Sequence, residues 1–163
     1  LACAQRASAV VEIGTGAGVS GLWLLRGMRP DGVLTTIDTE GEHQRAARTA
    51  FTEAGVRSTR VRTITGRALD VLPRLTDGVY DLVVADADPL ELAEHVEQAL
   101  RLLRPGGVLA VVHALGHDRV PDPAQRDEVT TAFREAARAL RDDERVVTAM
   151  VPSGDGLLVA ARR

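Results

Sequence analysis

The chain has 163 residues, 45% of them hydrophobic, enough for one sizeable core and too few for two ordinary domains. A net charge of −3 and a pI near 5.8 exclude the basic surface that nucleic acid requires, and no apolar run is long enough to span a bilayer. The single cysteine, Cys3, excludes an internal disulfide framework and fits a reducing, cytoplasmic compartment. All 20 basic residues are arginine, and asparagine is also absent. No mechanism here can use a lysine base, a lysine Schiff base or an asparagine ligand. The chain starts at Leu1 with neither a methionine nor a signal-like leader, so a further N-terminal segment is expected to precede it.

Apolar runs rich in valine and isoleucine alternate with helical patterns, which predicts a parallel sheet with crossover helices. The first strand, Ala9 to Ile13, runs into the glycine loop Gly14-Thr15-Gly16-Ala17-Gly18, and a helix follows from about Val19 to Met28. Arg29-Pro30-Asp31-Gly32 reads as a turn, and a second strand, Val33 to Ile37, stops at Asp38. A helix over Glu42 to Ala54 is closed by Gly55; a third strand covers about Arg60 to Ile64, then Gly66 and a short helix through Leu72. The fourth strand, Tyr80 to Ala85, stops at Asp86, and Pro89 suits the first turn of a helix reaching Leu103, capped by Asp88. After the stop Arg104-Pro105-Gly106-Gly107 comes a fifth strand, Val108 to about His113, then a polar loop and a helix from Pro123 to Leu140. Two last strands, about Val146 to Val151 and Gly156 to Ala161, flank a hairpin turn at Pro152 to Asp155. The expected fold is one doubly wound α/β domain, Rossmann-like, whose seven-stranded, mostly parallel sheet ends in an antiparallel hairpin. Ligands of such sheets sit outside the carboxyl ends of the strands, which puts the glycine loop, Asp38, Gly66, Asp86 and His113 on one rim.

The loop points to S-adenosylmethionine (SAM) rather than a dinucleotide. The dinucleotide pattern needs a glycine at position 19, where this chain has Val19. Asp38, at the end of the next strand, can accept both ribose hydroxyls of an adenosine; its plainer reading is a solvated strand end. Glu12, just before the loop, would repel a pyrophosphate but suits the ammonium of a methionyl group. Ser20 can bond the methionyl carboxylate near a helix N-terminus, or simply cap the helix.

Glu12 to Ser20, Thr35-Thr36-Ile37-Asp38, Tyr80 to Asp86, Leu103 to Gly107 and Gly154-Asp155-Gly156-Leu157, taken in order, resemble the bacterial O-methyltransferases related to catechol and caffeoyl-CoA O-methyltransferase. The resemblance implies SAM as methyl donor and S-adenosylhomocysteine as product. It implies cofactor contacts at Glu12, Gly14, Thr15, Gly16, Ser20, Asp38 and Thr39, an adenine border at Gly66 and Arg67, and Asp86 near the methyl group. It further implies a small-molecule acceptor, a homodimer, and extra N-terminal helices over the site.

The catalytic positions depart from that family. There the strand-four aspartate and an Asp-Asn pair after strand five hold a divalent metal, and a lysine takes the acceptor's proton. Here Asp86 is kept, but the pair falls on Val112 and His113 and the lysine on Pro89. The magnesium-type site is expected to be broken, so no metal is assigned. Asp86, Asp88 and His113 could instead gather a softer ion. Transfer without metal would rest on His113 or Asp86 as general base, although His113 can equally be a polar strand end. His117 would line the acceptor pocket or lie on the surface; His43 and His95 are expected to be solvated helix positions. Two readings compete with a metal-free O-methyltransferase: a non-catalytic binder of SAM or S-adenosylhomocysteine, and an aminopropyltransferase suggested by Asp86-Ala87-Asp88-Pro89. The second lacks aromatic residues for an amine pocket.

Overall fold

The computed structural model describes residues 1–163. Its strands are β1 (Ala9–Ile13), β2 (Val33–Asp38), β3 (Val61–Thr65), β4 (Tyr80–Ala85), β5 (Leu103–Val112), β6 (Val146–Val151) and β7 (Leu157–Arg162). They form one sheet in the order β3-β2-β1-β4-β5-β7-β6. β1 to β5 are parallel to one another, and β7 runs antiparallel to both β5 and β6. The strand order reverses between β1 and β4, where this class of sheet opens its ligand crevice.

Alternate residues of the central strands enter opposite cores, as the two-residue period of a strand requires. Val11, Ile13, Val83, Ala85, Leu109 and Val111 face α4 (Leu92–Leu102) and α5 (Glu128–Asp142), together with the short α3 (Ala68–Val71). Val10, Leu34, Leu82, Val84, Val108 and Ala110 face α1 (Val19–Gly27) and α2 (Gly41–Glu53) through Leu25, Ala47 and Phe51. Each buried leucine or valine of this set contributes about 1.5–3 kcal/mol. This two-sided burial is why the strands read as continuous apolar runs.

The end of the sheet where the strands begin is tied by polar groups with several partners each. Asp81 Oδ2 accepts from the N–H groups of Ser8 (2.7 Å) and Ala9 (2.9 Å), while Oδ1 takes Arg104 Nε at 2.7 Å. Arg60 donates to the carbonyls of Gly32, Leu25 and Arg29. Burial alone would raise the Asp81 carboxyl, but the Ala9 and Ser8 N–H groups and Arg104 outweigh it and hold the carboxyl below its usual range.

Several element boundaries differ from the sequence reading. The helix expected from Pro123 begins at Glu128, because Asp127 caps it by accepting Thr130 N–H at 3.0 Å; residues before it form turns. Pro89 starts a 3-10 turn, Pro89–Glu91, and α4 follows. Arg104 to Gly107 does not interrupt β5 but lies within it, where the register with β4 shifts. Gly107 is required there, since a Cβ would come within 2.9 Å of the Tyr80 carbonyl oxygen. β5 ends at Val112, and His113 turns the chain with φ 55°. The hairpin pairs Val151 with Leu157, so its connection includes Gly156.

Candidate active site

The strand-end residues expected on one rim are brought together there. Gly14 (φ 93°) makes the central contact: a Cβ at this position would lie 1.8 Å from the Asp86 carbonyl oxygen. The loop after β1 therefore rests directly on the chain leaving β4, an approach open only to glycine. Asp86 N–H donates to the Ile13 carbonyl (2.8 Å) and Gly14 N–H to that of Ile37 (2.8 Å), which stitches the three strand ends.

Beneath the loop lies a buried polar chain. Thr36 Oγ1 donates to Glu12 Oε2 (2.6 Å) and accepts from Thr15 Oγ1 (2.7 Å), which in turn accepts from Gln44 Nε2 (2.9 Å). Glu12, Thr15, Thr36 and Gln44 are all buried. Burial pushes the Glu12 carboxyl up, against the Ser20 and Thr36 hydroxyls, which favour the anion. Its Oε1 has no partner, and neither has Gln44 Oε1. A buried carboxylate oxygen without a donor is costly. An incoming ammonium is the type of group that satisfies it. Ser20 does not cap α1, whose capping residue is Gly18, so its hydroxyl is not used by the helix start.

Asp38 is held more tightly than a solvated strand end. Oδ2 accepts from the N–H groups of Thr15 (3.0 Å) and Gly16 (2.9 Å), Oδ1 accepts from Glu40 N–H (2.9 Å), and His43 Nδ1 lies 3.3 Å from both oxygens. Burial alone would raise this carboxyl; those contacts outweigh it and keep the group ionised well into acid. His43 is exposed, as expected of its helix position, yet its imidazole serves this carboxylate.

Two connected clefts surround these groups. One, of about 500 Å³, is bordered by Gly14, Thr15, Gly16, Ser20, Asp38 and Asp86. The other, of about 240 Å³, is bordered by Asp38, Thr39, Gly66, Arg67, Asp86 and His95. The side chain of Arg67 turns to Glu91, at 2.8 Å from Nε and 2.6 Å from Nη2.

A third cleft, of about 300 Å³, opens beyond Asp86 between β5, the loop after it and α5, with Leu92, Val129 and Phe133 among its walls. Asp86 is half-buried, and burial pushes its carboxyl up, against the pull of His113. His113 Nε2 lies 3.8 Å from Asp86 Oδ1, beyond hydrogen-bonding distance. The other ring nitrogen, Nδ1, is 3.1 Å from Asp155 Oδ2, whose second oxygen accepts His117 N–H at 2.5 Å. Sequence reasoning left Asp155 in a turn, since nothing local signals a contact across 42 residues. His95 corrects another expectation: it is 2% exposed rather than solvated, with Nε2 unpartnered and 3.5 Å from Glu91 Oε2. Burial holds its imidazole below the usual value and so neutral. Asp88 behaves as a cap, accepting Leu90 N–H at 2.9 Å. The three groups weighed for a softer ion, Asp86, Asp88 and His113, do not gather as a ligand set.

Residues 1–163 match the O-methyltransferase family over their whole length. An inferred O-methyltransferase of Mycobacterium ulcerans is 59% identical over 154 residues, which cover 94% of this chain and 69% of that protein. Among solved structures, the O-methyltransferase TomG of Streptomyces achromogenes, involved in tomaymycin synthesis and bound to SAM, is 32% identical with a TM-score of 0.91, over 99% of this chain and 75% of that one. An O-methyltransferase of Bacillus cereus in complex with S-adenosylhomocysteine is 28% identical with a TM-score of 0.90, over 98% of this chain and 76% of that one.

Proposed function

The chain belongs to the O-methyltransferase family, and on that premise we propose that it transfers the methyl group of SAM to a hydroxyl oxygen of a small molecule without a divalent metal. One observation carries the reading: Asp86 is the residue common to all three clefts. A methyl group must pass where donor and acceptor spaces meet, and that junction is Asp86.

The residues divide by chemistry. Gly14, Thr15, Gly16 and Ser20 enclose the methionyl part, with the unpartnered Glu12 Oε1 available to its ammonium. Asp38, already ionised and braced by backbone N–H groups, accepts from the ribose hydroxyls, with Thr39 beside it. Gly66 and Arg67 border the adenine. The sulfonium supplies the activation of the methyl group, so the protein's task is to align oxygen, methyl and sulfur and to remove one proton. His113 takes that proton, as its Nε2 faces the junction beside Asp86. The metal positions of related enzymes hold Val112 and His113, the lysine position holds Pro89, and Asp88 caps a helical turn. We further place the protein in the cytoplasm, on the evidence of its lone cysteine, and as a homodimer by family resemblance. No helix is long and apolar enough to cross a membrane.

The test is methyl transfer from labelled SAM to a panel of phenols and hydroxylated metabolites, with and without EDTA, beside calorimetry with S-adenosylhomocysteine. Micromolar-range binding, on the order of typical enzyme affinities, and EDTA-insensitive transfer are expected. No heat at millimolar ligand overturns the cofactor reading. A strict magnesium requirement overturns the metal-free one.

A further inference from the structure

Asp155 lies outside every strand and helix, yet the acceptor end of the cleft converges on it. Its Oδ2 is 3.1 Å from His113 Nδ1 and 3.5 Å from His117 Nδ1, and its side chain is only 15% exposed. Burial raises this carboxyl, but the His117 N–H and the two imidazoles outweigh that effect and keep it ionised. A carboxylate can only accept, so the ring nitrogen facing it must carry hydrogen. In neutral His113 this puts the proton on Nδ1 and leaves the Nε2 lone pair free on the side of Asp86.

The backbone around the pair is held accordingly. His113 has φ 55°, a conformation that a non-glycine residue keeps only where its surroundings impose it. Ala114 N–H donates to the Gly156 carbonyl (3.1 Å) and Leu115 N–H to that of Asp155 (2.9 Å). Gly156 presses against Leu115 so closely that a Cβ would meet its Cγ at 2.4 Å. The turn that carries Asp155 is thus fastened to the loop that carries His113.

We propose that Asp155 is a positioning residue of the methyl transfer, fixing the His113 tautomer and ring orientation so that Nε2 receives the acceptor's proton. This rests on the reading of His113 as the base. As the acceptor oxygen forms its bond to the methyl carbon, the carbon–sulfur bond breaks and its electron pair stays on sulfur. The O–H proton passes to His113 Nε2. The products are a methyl ether, neutral S-adenosylhomocysteine and an imidazolium held between Asp155 and Asp86. The charged or titratable groups facing His113 are Asp86 from the end of β4, Asp155 from the β6–β7 turn and His117 from its own loop. His117 shares Asp155 but is 86% exposed, so it braces the carboxylate from the solvent side.

Nitrogen-15 NMR of the histidines tests the tautomer without any acceptor or turnover. A protonated Nδ1 and a bare Nε2 on neutral His113 are expected, with that state lost in Asp155→Asn. Hydrogen on Nε2 in the unaltered protein overturns the proposal. In the methyl-transfer assay, Asp155→Asn should lower kcat about 100-fold, within the usual range for general base catalysis, with the KM for SAM and S-adenosylhomocysteine affinity unchanged and the protein still fully folded at the assay temperature. Asp155→Glu should recover part of the loss. In a His113→Ala background Asp155→Asn should cost nothing further. An equal loss in that background, or a drop in cofactor affinity and melting temperature that accounts for the rate, makes Asp155 merely structural. Absence of methyl transfer by the unaltered protein counts against the reading of His113 as base, while the NMR result still decides what Asp155 does to the ring.

Discussion

The two ends of the sheet are built to opposite standards of polar satisfaction. Where the strands begin, Asp81 and Arg60 each have three partners, and those partners are mostly backbone groups. Where the strands end, Glu12 Oε1, Gln44 Oε1 and His95 Nε2 are buried without partners, and Asp86 and His113 face each other just beyond hydrogen-bonding reach. Nearly all buried polar groups in folded proteins are paired, and the three exceptions here lie at the end of the sheet where ligands of this fold class bind. The same sheet thus has an end that closes the fold and an end that stays chemically open.

Three substitutions test that contrast. Gly14→Ala should have the largest effect, since it forces a Cβ into the Asp86 carbonyl at a positive φ. A loss of at least about 3 kcal/mol is expected from strain and overpacking together, seen in urea denaturation along with lost cofactor binding. A stable, ligand-binding variant would show that loop and strand need not touch.

Asp81→Asn comes next and tests the closed end. It should cost about 1.5–3 kcal/mol at neutral pH, the range for hydrogen bonds to a charged group, with S-adenosylhomocysteine affinity unchanged. The pH dependence has a definite sign. The folded-state carboxyl lies below its ordinary value, so its stabilisation is present above the unfolded value near 3.8 and is lost as pH falls through the lowered folded value. The difference between parent and variant should shrink in that acid window. A change in cofactor affinity would mean that the ends are not independent.

Glu12→Gln is the smallest in stability and the most telling at the open end. Burial raises this carboxyl, so the folded state binds its proton more readily and the parent gains stability as pH falls from the raised folded value towards the unfolded value of 4.5. The variant should lose that gain, hold within about 1 kcal/mol of the parent at neutral pH because no buried charge remains, and bind S-adenosylhomocysteine about 10-fold more weakly. Unchanged affinity with a large loss of stability would make Glu12 a structural residue.

The side of the rim formed by the glycine loop and Asp38 was legible in the chain because its parts are placed by strand ends. The glycine loop follows β1 directly, and Asp38 follows β2, so the crossover rule alone brings them together. The strands and main helices from Ala9 to Ala85 also matched expectation within a residue or two, since most boundaries there carry a glycine, a proline or a strand-ending carboxylate. The side beyond Asp86 was less legible. Helix α5 begins five residues after the proline that suggested its start, because an aspartate cap rather than Pro123 sets it. His95 reads as a polar position on a helix, and only the packing of α4 against the sheet reveals its burial.

The sequence was enough for the alternating fold, the rim on which the glycine loop, Asp38 and Asp86 meet, and the absence of lysine and asparagine chemistry. All of these rest on residue type and short-range order. Only the tertiary structure fixed what gathers beside Asp86. Asp155 reaches His113 through an antiparallel hairpin that returns beside β5, and Gly156 lets the two loops meet. Contacts made by such a return depend on register and close backbone approach, which leave no periodic trace in the chain.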